Sequence, residues 1–151
     1  EHHFLVPAVL LAAYYNTLGE KELKKSRIIE AQKRAKHILG GFCGFYGNCG
    51  AGVGTGMYVS IVTGANPLSH EAWQLANLMT SQSLLVIARY GGPRCCKRDS
   101  FLAIEKAVEF TEEHLKMKLE MPDHIRCYFA SHNVECLFEQ CPYYRAKVQA
   151  V

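Results

Sequence analysis

Seven cysteines fall into three separated groups, and this placement constrains the fold more than any other feature. Cys43 and Cys49 lie in Gly-Phe-Cys-Gly-Phe-Tyr-Gly-Asn-Cys-Gly, Cys95 and Cys96 are adjacent in Gly-Gly-Pro-Arg-Cys-Cys-Lys-Arg-Asp, and Cys127, Cys136 and Cys141 occupy the tail. All of them read as loop or helix-end positions, whereas cysteines serving as small apolar residues would scatter over helix faces. An odd number cannot pair completely within one chain. A chain of 151 residues buries roughly 68–70% of its unfolded surface, so it needs no cross-link merely to form a core. The cysteines therefore call for a chemical explanation, and the fold must bring their loops together.

The stretches between them are helical in pattern. A first helix is expected from about Phe4 to Leu18, with Pro7 tolerated in its first turn and Gly19 ending it. Its apolar run, Phe4 to Tyr15, is shorter than the roughly 20 residues of a membrane span. A second helix is expected over Glu20 to Leu39, with Ile28, Ala31, Ala35 and Ile38 on the buried face and a basic solvated face opposite. Gly52, Gly56, Ser60 and Gly64 recur every fourth residue. On a helix they make one ridge of small side chains that lets another backbone approach, at a propensity cost of about 1 kcal/mol per glycine. Ser69 is the expected cap of a helix reaching Tyr90, and Asp99 or Ser100 the cap of one reaching about Leu119. In that last helix Phe101, Ile104, Val108 and Leu115 form the expected core stripe, with Glu105, Glu109, Glu112 and Glu113 wet. The final thirty residues are less regular: Arg126 to Ala130 reads as a short extended piece, and Pro142 as the start of a short helix. The expected fold is all-α, one domain over residues 1–151 built as a bundle of about five to six helices, with the cysteine-bearing loops gathered at one end.

The chain begins Glu1-His2-His3, with no initiator Met and no basic leader, so it reads as processed or cut from a longer protein. The cytoplasm is the expected compartment, and in a reducing setting such cysteines bind metal or react more often than they cross-link. A net charge of +3 is too slight to argue for nucleic acid. No Cys-x-x-Cys occurs, which counts against a thioredoxin-like motif and a zinc knuckle. Iron–sulfur clusters accept ligands distant in sequence provided the thiolates converge. Glycines beside Cys43 and Cys49 leave room around the sulfurs, and Arg94, Lys97 and Arg98 would offset their negative charge. The expected ligands are drawn from Cys43, Cys49, Cys95, Cys96, Cys136 and Cys141, with one of the adjacent pair ligating and Cys127 structural. An iron–sulfur cluster, 4Fe–4S favoured, is the leading reading. Zinc, with a histidine such as His37, His70, His124 or His132 joining, and a metal-free reactive thiol are the alternatives.

Two further stretches carry weaker signals. The run Gly50 to Gly56 superficially matches a nucleotide or S-adenosylmethionine loop, but no apolar strand precedes it. Asn77, Thr80, Ser81, Gln82 and Ser83 form a polar island in an apolar helix. Its plain reading is a solvent face; its sharper reading makes Asn77 and Ser81, one turn apart, a wall of the cofactor pocket.

The runs GGFCGFYGNCGAGVGTG (40–56) and GGPRCCKRDSFLAI (91–104) resemble a cysteine-rich domain-of-unknown-function family of anaerobic bacteria and archaea, over nearly the whole chain. The motif positions are Cys43, Cys49, Cys95, Cys96, Cys136 and Cys141. The resemblance implies anaerobic redox metabolism and a redox, radical S-adenosylmethionine or methyltransferase partner domain, but supplies no reaction. The expected function is a cluster protein or accessory domain. An enzyme acting on a small sulfur-containing substrate at an open cluster position or a Cys95/Cys96 thiolate, and a zinc-stabilised interaction module, are the alternatives.

Overall fold

The computed structural model describes residues 2–144, which form one all-α domain with no strand among them. Six helices follow in order: α1 His2–Leu18, α2 Lys21–Ala35, the single turn α3 Phe42–Phe45, α4 Gly50–Thr63, α5 Glu71–Tyr90 and α6 Cys96–Leu115. No helix among the described residues is long and apolar enough to cross a membrane.

Helix α4 is the axle of the bundle, packed against α1, α2, α5 and α6. Its small residues explain how. A Cβ on Gly56 would stand 1.8 Å from Thr80 Oγ1 and 2.9 Å from the Ala76 carbonyl of α5, and one on Gly52 would stand 2.7 Å from Leu84 Cδ2. On the flank facing α1, Gly54 meets Pro7 and Gly50 meets His3. Of the expected four-residue ridge, Gly52 and Gly56 are thus the contact surface for α5, whereas Ser60 accepts from Arg34 of α2 and Gly64 lies beyond the helix as its C-cap, and a second pair of glycines serves α1. Gly56→Ala is expected to cost about 2 kcal/mol, because overpacking against a backbone carbonyl outweighs the gain in helix propensity. Gly40→Ala, at a glycine with open space around it, should stay within about 0.5 kcal/mol. Urea unfolding of the two variants checks the contrast.

Val6, Leu10 and Leu11 of α1, Tyr58, Val59 and Ile61 of α4, Met79 of α5 and Ala103, Ala107 and Phe110 of α6 form the core. Buried polar groups within it are paired. Tyr58 and Thr111 share a hydrogen bond of 3.0 Å, and Thr55 Oγ1 lies 2.9 Å from Ser83 Oγ and 2.7 Å from the Gly52 carbonyl. Burial raises the Tyr58 phenol well above its ordinary value, more than the Thr111 bond lowers it. The folded state therefore keeps this proton where the unfolded chain gives it up. Its contribution is whole below about pH 10 and is lost above, at up to ~1.4 kcal/mol per pH unit. Tyr58→Phe should flatten the alkaline fall in melting temperature.

Several boundaries differ from the sequence expectation. Helix α2 stops at Ala35 rather than Leu39, though Ala31 and Ala35 are buried and Ile28 and Ile38 half-buried as expected. Ser69 does not cap α5; its hydroxyl accepts the Asn66 N–H instead, and His70 holds the cap position. Helix α6 begins at Cys96, before the expected Asp99/Ser100 cap, and ends at Leu115, where Lys116 takes a left-handed conformation. Ser100 Oγ donates to the Cys96 carbonyl inside the first turn. The buried face of α6 is Leu102, Ala103, Ala107, Phe110 and Thr111, with Phe101, Ile104, Val108 and Leu115 at its margin. Glu105 is half-buried rather than wet, and accepts a hydrogen bond from Tyr143.

From Lys116 to Tyr144 the chain has two short 3-10 turns, Ala130–His132 and Phe138–Gln140, and one isolated parallel bridge between Cys127 and Tyr144. The bridge replaces the extended piece expected at 126–130. The helix expected from Pro142 falls mostly outside the described residues.

Candidate metal centre

The segment Arg94 to Asp99, where the chain enters α6, is where the three cysteine groups meet. Cys95 is the N-cap of α6 and Cys96 its first residue. Cys49 is the N-cap of α4. Helix starts present free N–H groups and the positive end of the helix dipole, which favour thiolate over thiol. At Cys49 the amides of Ala51 and Gly52 act in that direction, but burial is the larger effect and pushes the thiol up to about 11. Burial likewise raises Cys96 and Cys141, opposed at Cys96 by Arg94 and at Cys141 first by a backbone hydrogen bond from Tyr143. All seven cysteines are free thiols.

The cysteines divide into two neighbouring sets. Cys95, Cys96, Cys127, Cys136 and Cys141 line one cavity of about 260 Å³ under the tail, together with Arg94, Lys97, Arg98, His132 and Glu135. Asn133 Nδ2 donates to Cys95 Sγ at 3.6 Å, and the Phe138 N–H to Cys136 Sγ at 3.4 Å. Cys141 lies within electrostatic reach of both Cys95 and Cys136. Cys43 and Cys49 line a second cavity between α3, α4, α5 and the 91–99 segment. Cys96 stands between the sets: it shares a smaller cleft with Cys43 and borders the tail cavity too. Adjacent in sequence, Cys95 and Cys96 thus both line the tail cavity, and Cys96 also reaches the cleft beside Cys43. As placed, no three His, Cys, Asp or Glu side chains among the described residues are close enough to hold one ion. Sharing a metal would require the thiols to draw together by changes of side-chain rotamer.

The three expected cations have distinct parts. Arg94 Nη1 lies 3.9 Å from Cys96 Sγ. Lys97 Nζ sits 4.4 Å above the Phe129 ring, tying the start of α6 to the tail. Arg98 is a structural clamp: its side chain is 2% exposed, Nη2 donates to the carbonyls of Gly91 at 2.8 Å and Pro93 at 3.1 Å, and Nε faces Asp99 Oδ1 at 3.5 Å. Asp99 in turn accepts from the Cys49 thiol at 3.8 Å.

Asn77 and Ser81 are not part of this centre. Both are exposed on α5 and bond back to their own helix, Asn77 Nδ2 to the Trp73 carbonyl and Ser81 Oγ to the Leu78 carbonyl. Neither lines a cysteine cavity; Asn77 borders a cleft with Arg34, Ser60 and Trp73 instead. The other half of the polar island, Thr80 and Ser83, packs against Gly56 and Thr55. Conversely, sequence reasoning set Cys127 aside as structural and missed Asp99 and Asn133, which touch sulfur. Asp99 carried a stronger local signal as a helix cap, and Asn133 carried none.

No curated protein and no solved structure matches the chain. The one informative comparison is with families, where the model described as a family of unknown function, DUF5714, matches residues 1–144, so the chain belongs to that family.

Proposed function

We propose that this protein carries an iron–sulfur cluster in the tail cavity, bound by Cys95, Cys136 and Cys141 with Cys127 as the fourth thiolate, and that it passes electrons to a redox partner in anaerobic metabolism. The observation that carries the reading is the gathering of five thiols, Cys95 and Cys96 from a helix start and Cys127, Cys136 and Cys141 from an irregular tail, around a single cavity. The donor set fits: soft thiolates select iron–sulfur clusters, zinc or copper(I) over harder ions. In a cluster the cysteines bind different irons, which suits sulfurs spread around a cavity better than a single tetrahedral ion does. Such a cluster supplies one-electron transfer. The chain supplies the cations Arg94 and Lys97 that line the cavity, and the N–H donors of Asn133 and Phe138 toward sulfur. Those donors raise the reduction potential by stabilising the more negative state.

The tail itself supports the proposal. Between Lys116 and Tyr144 only Leu119 and Tyr143 are buried. A segment of that length with so little core of its own is unusual in a compact domain, and a metal centre would couple its folding to ligation. Reconstitution with iron and sulfide under oxygen-free conditions should give a brown protein whose visible absorption bleaches on reduction and returns on oxidation. Cys136→Ser/Cys141→Ser should abolish that spectrum. A reconstituted protein without visible absorption, or a double variant with an unchanged spectrum, rules the reading out.

A further inference from the structure

Some of the most exposed apolar side chains of the molecule sit at its cysteine-bearing end. The turn after α2 and the short helix α3 leave Leu39 63%, Phe45 86% and Tyr46 71% exposed. They belong to one patch. The Phe45 ring lies over Gly41, Tyr46 packs on Phe42 with ring centroids 4.8 Å apart, and Leu39 and Phe42 wall the cleft that holds Cys43 and Cys96. Arg94 and Cys96 line that cleft and the tail cavity alike, so the patch runs up to the tail centre. Exposed apolar area gathered in one place marks an interaction surface, whereas single exposed side chains are ordinary.

The charge around the patch is of one sign. Lys33, Lys36, Arg94 and Lys97 are exposed there, and Lys33 and Lys36 pair with no carboxylate among the described residues. Between Ala31 and Arg98 the sequence has a single acidic residue, Glu71. It starts α5, and a helix of 20 residues sets it about 30 Å from the Gly91 turn. Glu135 is the one carboxylate that lines the tail cavity. Glu109, Glu112 and Glu113 lie toward the far end of α6.

We propose that this face docks an acidic one-electron carrier protein, whose carboxylates ring an apolar centre that receives Phe45 and Tyr46. The choice of partner rests on the iron–sulfur reading: an electron carrier must bring its partner close to the tail cavity, and this patch borders it. Carboxylates on the partner meet Lys33, Lys36 and Arg94, which steer the encounter and set its orientation. The aromatic pair supplies the contact that holds it. Redox encounters use small interfaces, which suits a patch of a few side chains. A bilayer surface shares the negative charge, but its headgroups accept no electron.

Calorimetric titration of a purified acidic flavodoxin, and separately of an acidic plant-type ferredoxin, into the full chain tests this, with and without reconstitution. Binding should weaken more than ~10-fold between about 10 mM and 150 mM salt, as the screening length falls from about 30 Å to about 8 Å. Lys33→Glu/Lys36→Glu should weaken it ~10-fold or more at low salt and flatten the salt dependence. Phe45→Ser/Tyr46→Ser should weaken it about as much, ~10-fold, and keep the salt dependence. All four side chains are exposed and outside the core, so circular dichroism and melting should match the parent. Vesicles of phosphatidylcholine and phosphatidylserine serve as the competing surface. The proposal is overturned if neither carrier binds, if either variant binds as tightly as the parent, or if the chain binds the vesicles instead and the variants lose that binding. The titration needs no cluster. A chain that takes up no iron yet binds a carrier fails the iron–sulfur reading alone, and a loaded chain that binds neither carrier fails the docking alone.

Discussion

Arg98→Ala should cost about 3–5 kcal/mol, because it leaves a buried carboxylate without its counter-charge. That is a large share of the 5–15 kcal/mol that holds a typical domain together. Arg98 and Asp99 are 2% and 6% exposed at the side chain. The same guanidinium donates to the Gly91 and Pro93 carbonyls, so its loss also frees the turn that delivers Cys95 and Cys96. The loss should depend on pH in a defined direction. Burial already raises the Asp99 carboxyl above its ordinary value, opposed first by Arg98. Without Arg98 it rises further, so the folded state holds a proton that the unfolded chain releases near pH 4. Stability of the variant is then greatest below that value and falls as pH rises through the folded-state value. Denaturant unfolding of Arg98→Ala at pH 5 and pH 8 should show the larger deficit at pH 8. Arg98→Ala/Asp99→Asn should recover part of it and lose the pH dependence.

The second large effect concerns the tail. Cys95→Ser/Cys141→Ser removes one proposed ligand from the start of α6 and one from the tail, and should reduce cluster iron to below about one-tenth of the parent. Helices α1 to α6 should be untouched, since neither thiol belongs to the core. What should change is protection of the chain beyond α6. Lys116, Lys118 and Arg126 are exposed and lie in or next to coil. On the proposed reading the loaded protein would tie the tail at Cys127, Cys136 and Cys141, while in the variant it is held chiefly by Tyr143 against Phe101 and Glu105 and by Phe129 under Lys97. Trypsin should therefore cut the variant after these residues, leaving a helical fragment, while the loaded parent resists. Equal resistance in both would mean that the tail is ordered by packing alone.

These expectations bear on what a single sequence can disclose. The helices were legible because their apolar spacing and a glycine stop act locally: Gly19 ends α1 at φ +74°, whereas Gly64, expected on the helical ridge, ends α4 at φ +67°. The ridge of Gly52 and Gly56 was legible because only a close helix contact offsets the propensity lost there. The start of α6 was not. Asp99 and Ser100 look like caps, yet Arg98 finds its partners only when it is drawn into the bundle, so the helix begins earlier and Asp99 becomes a buried neighbour of Cys49. The polar island on α5 was ambiguous for a similar reason: Asn77 and Ser81 face water, whereas Thr80 and Ser83 fill space beside glycines on another helix. The thiol placement was legible in part. Their loop positions indicated that distant segments meet, but which thiols share a cavity depends on the path of a tail that has no periodicity, and that path places Cys127 with Cys95, Cys96, Cys136 and Cys141.

The central claim is that the tail thiols hold iron and inorganic sulfide. The most direct measurement is the iron, acid-labile sulfide and zinc content per chain of protein purified and reconstituted without oxygen, beside that of Cys136→Ser/Cys141→Ser. The account predicts iron and sulfide in equal amounts, on the order of four each for the favoured cluster, both lost from the double variant. Zinc at one per chain without sulfide, or iron that the double variant retains in full, would contradict it.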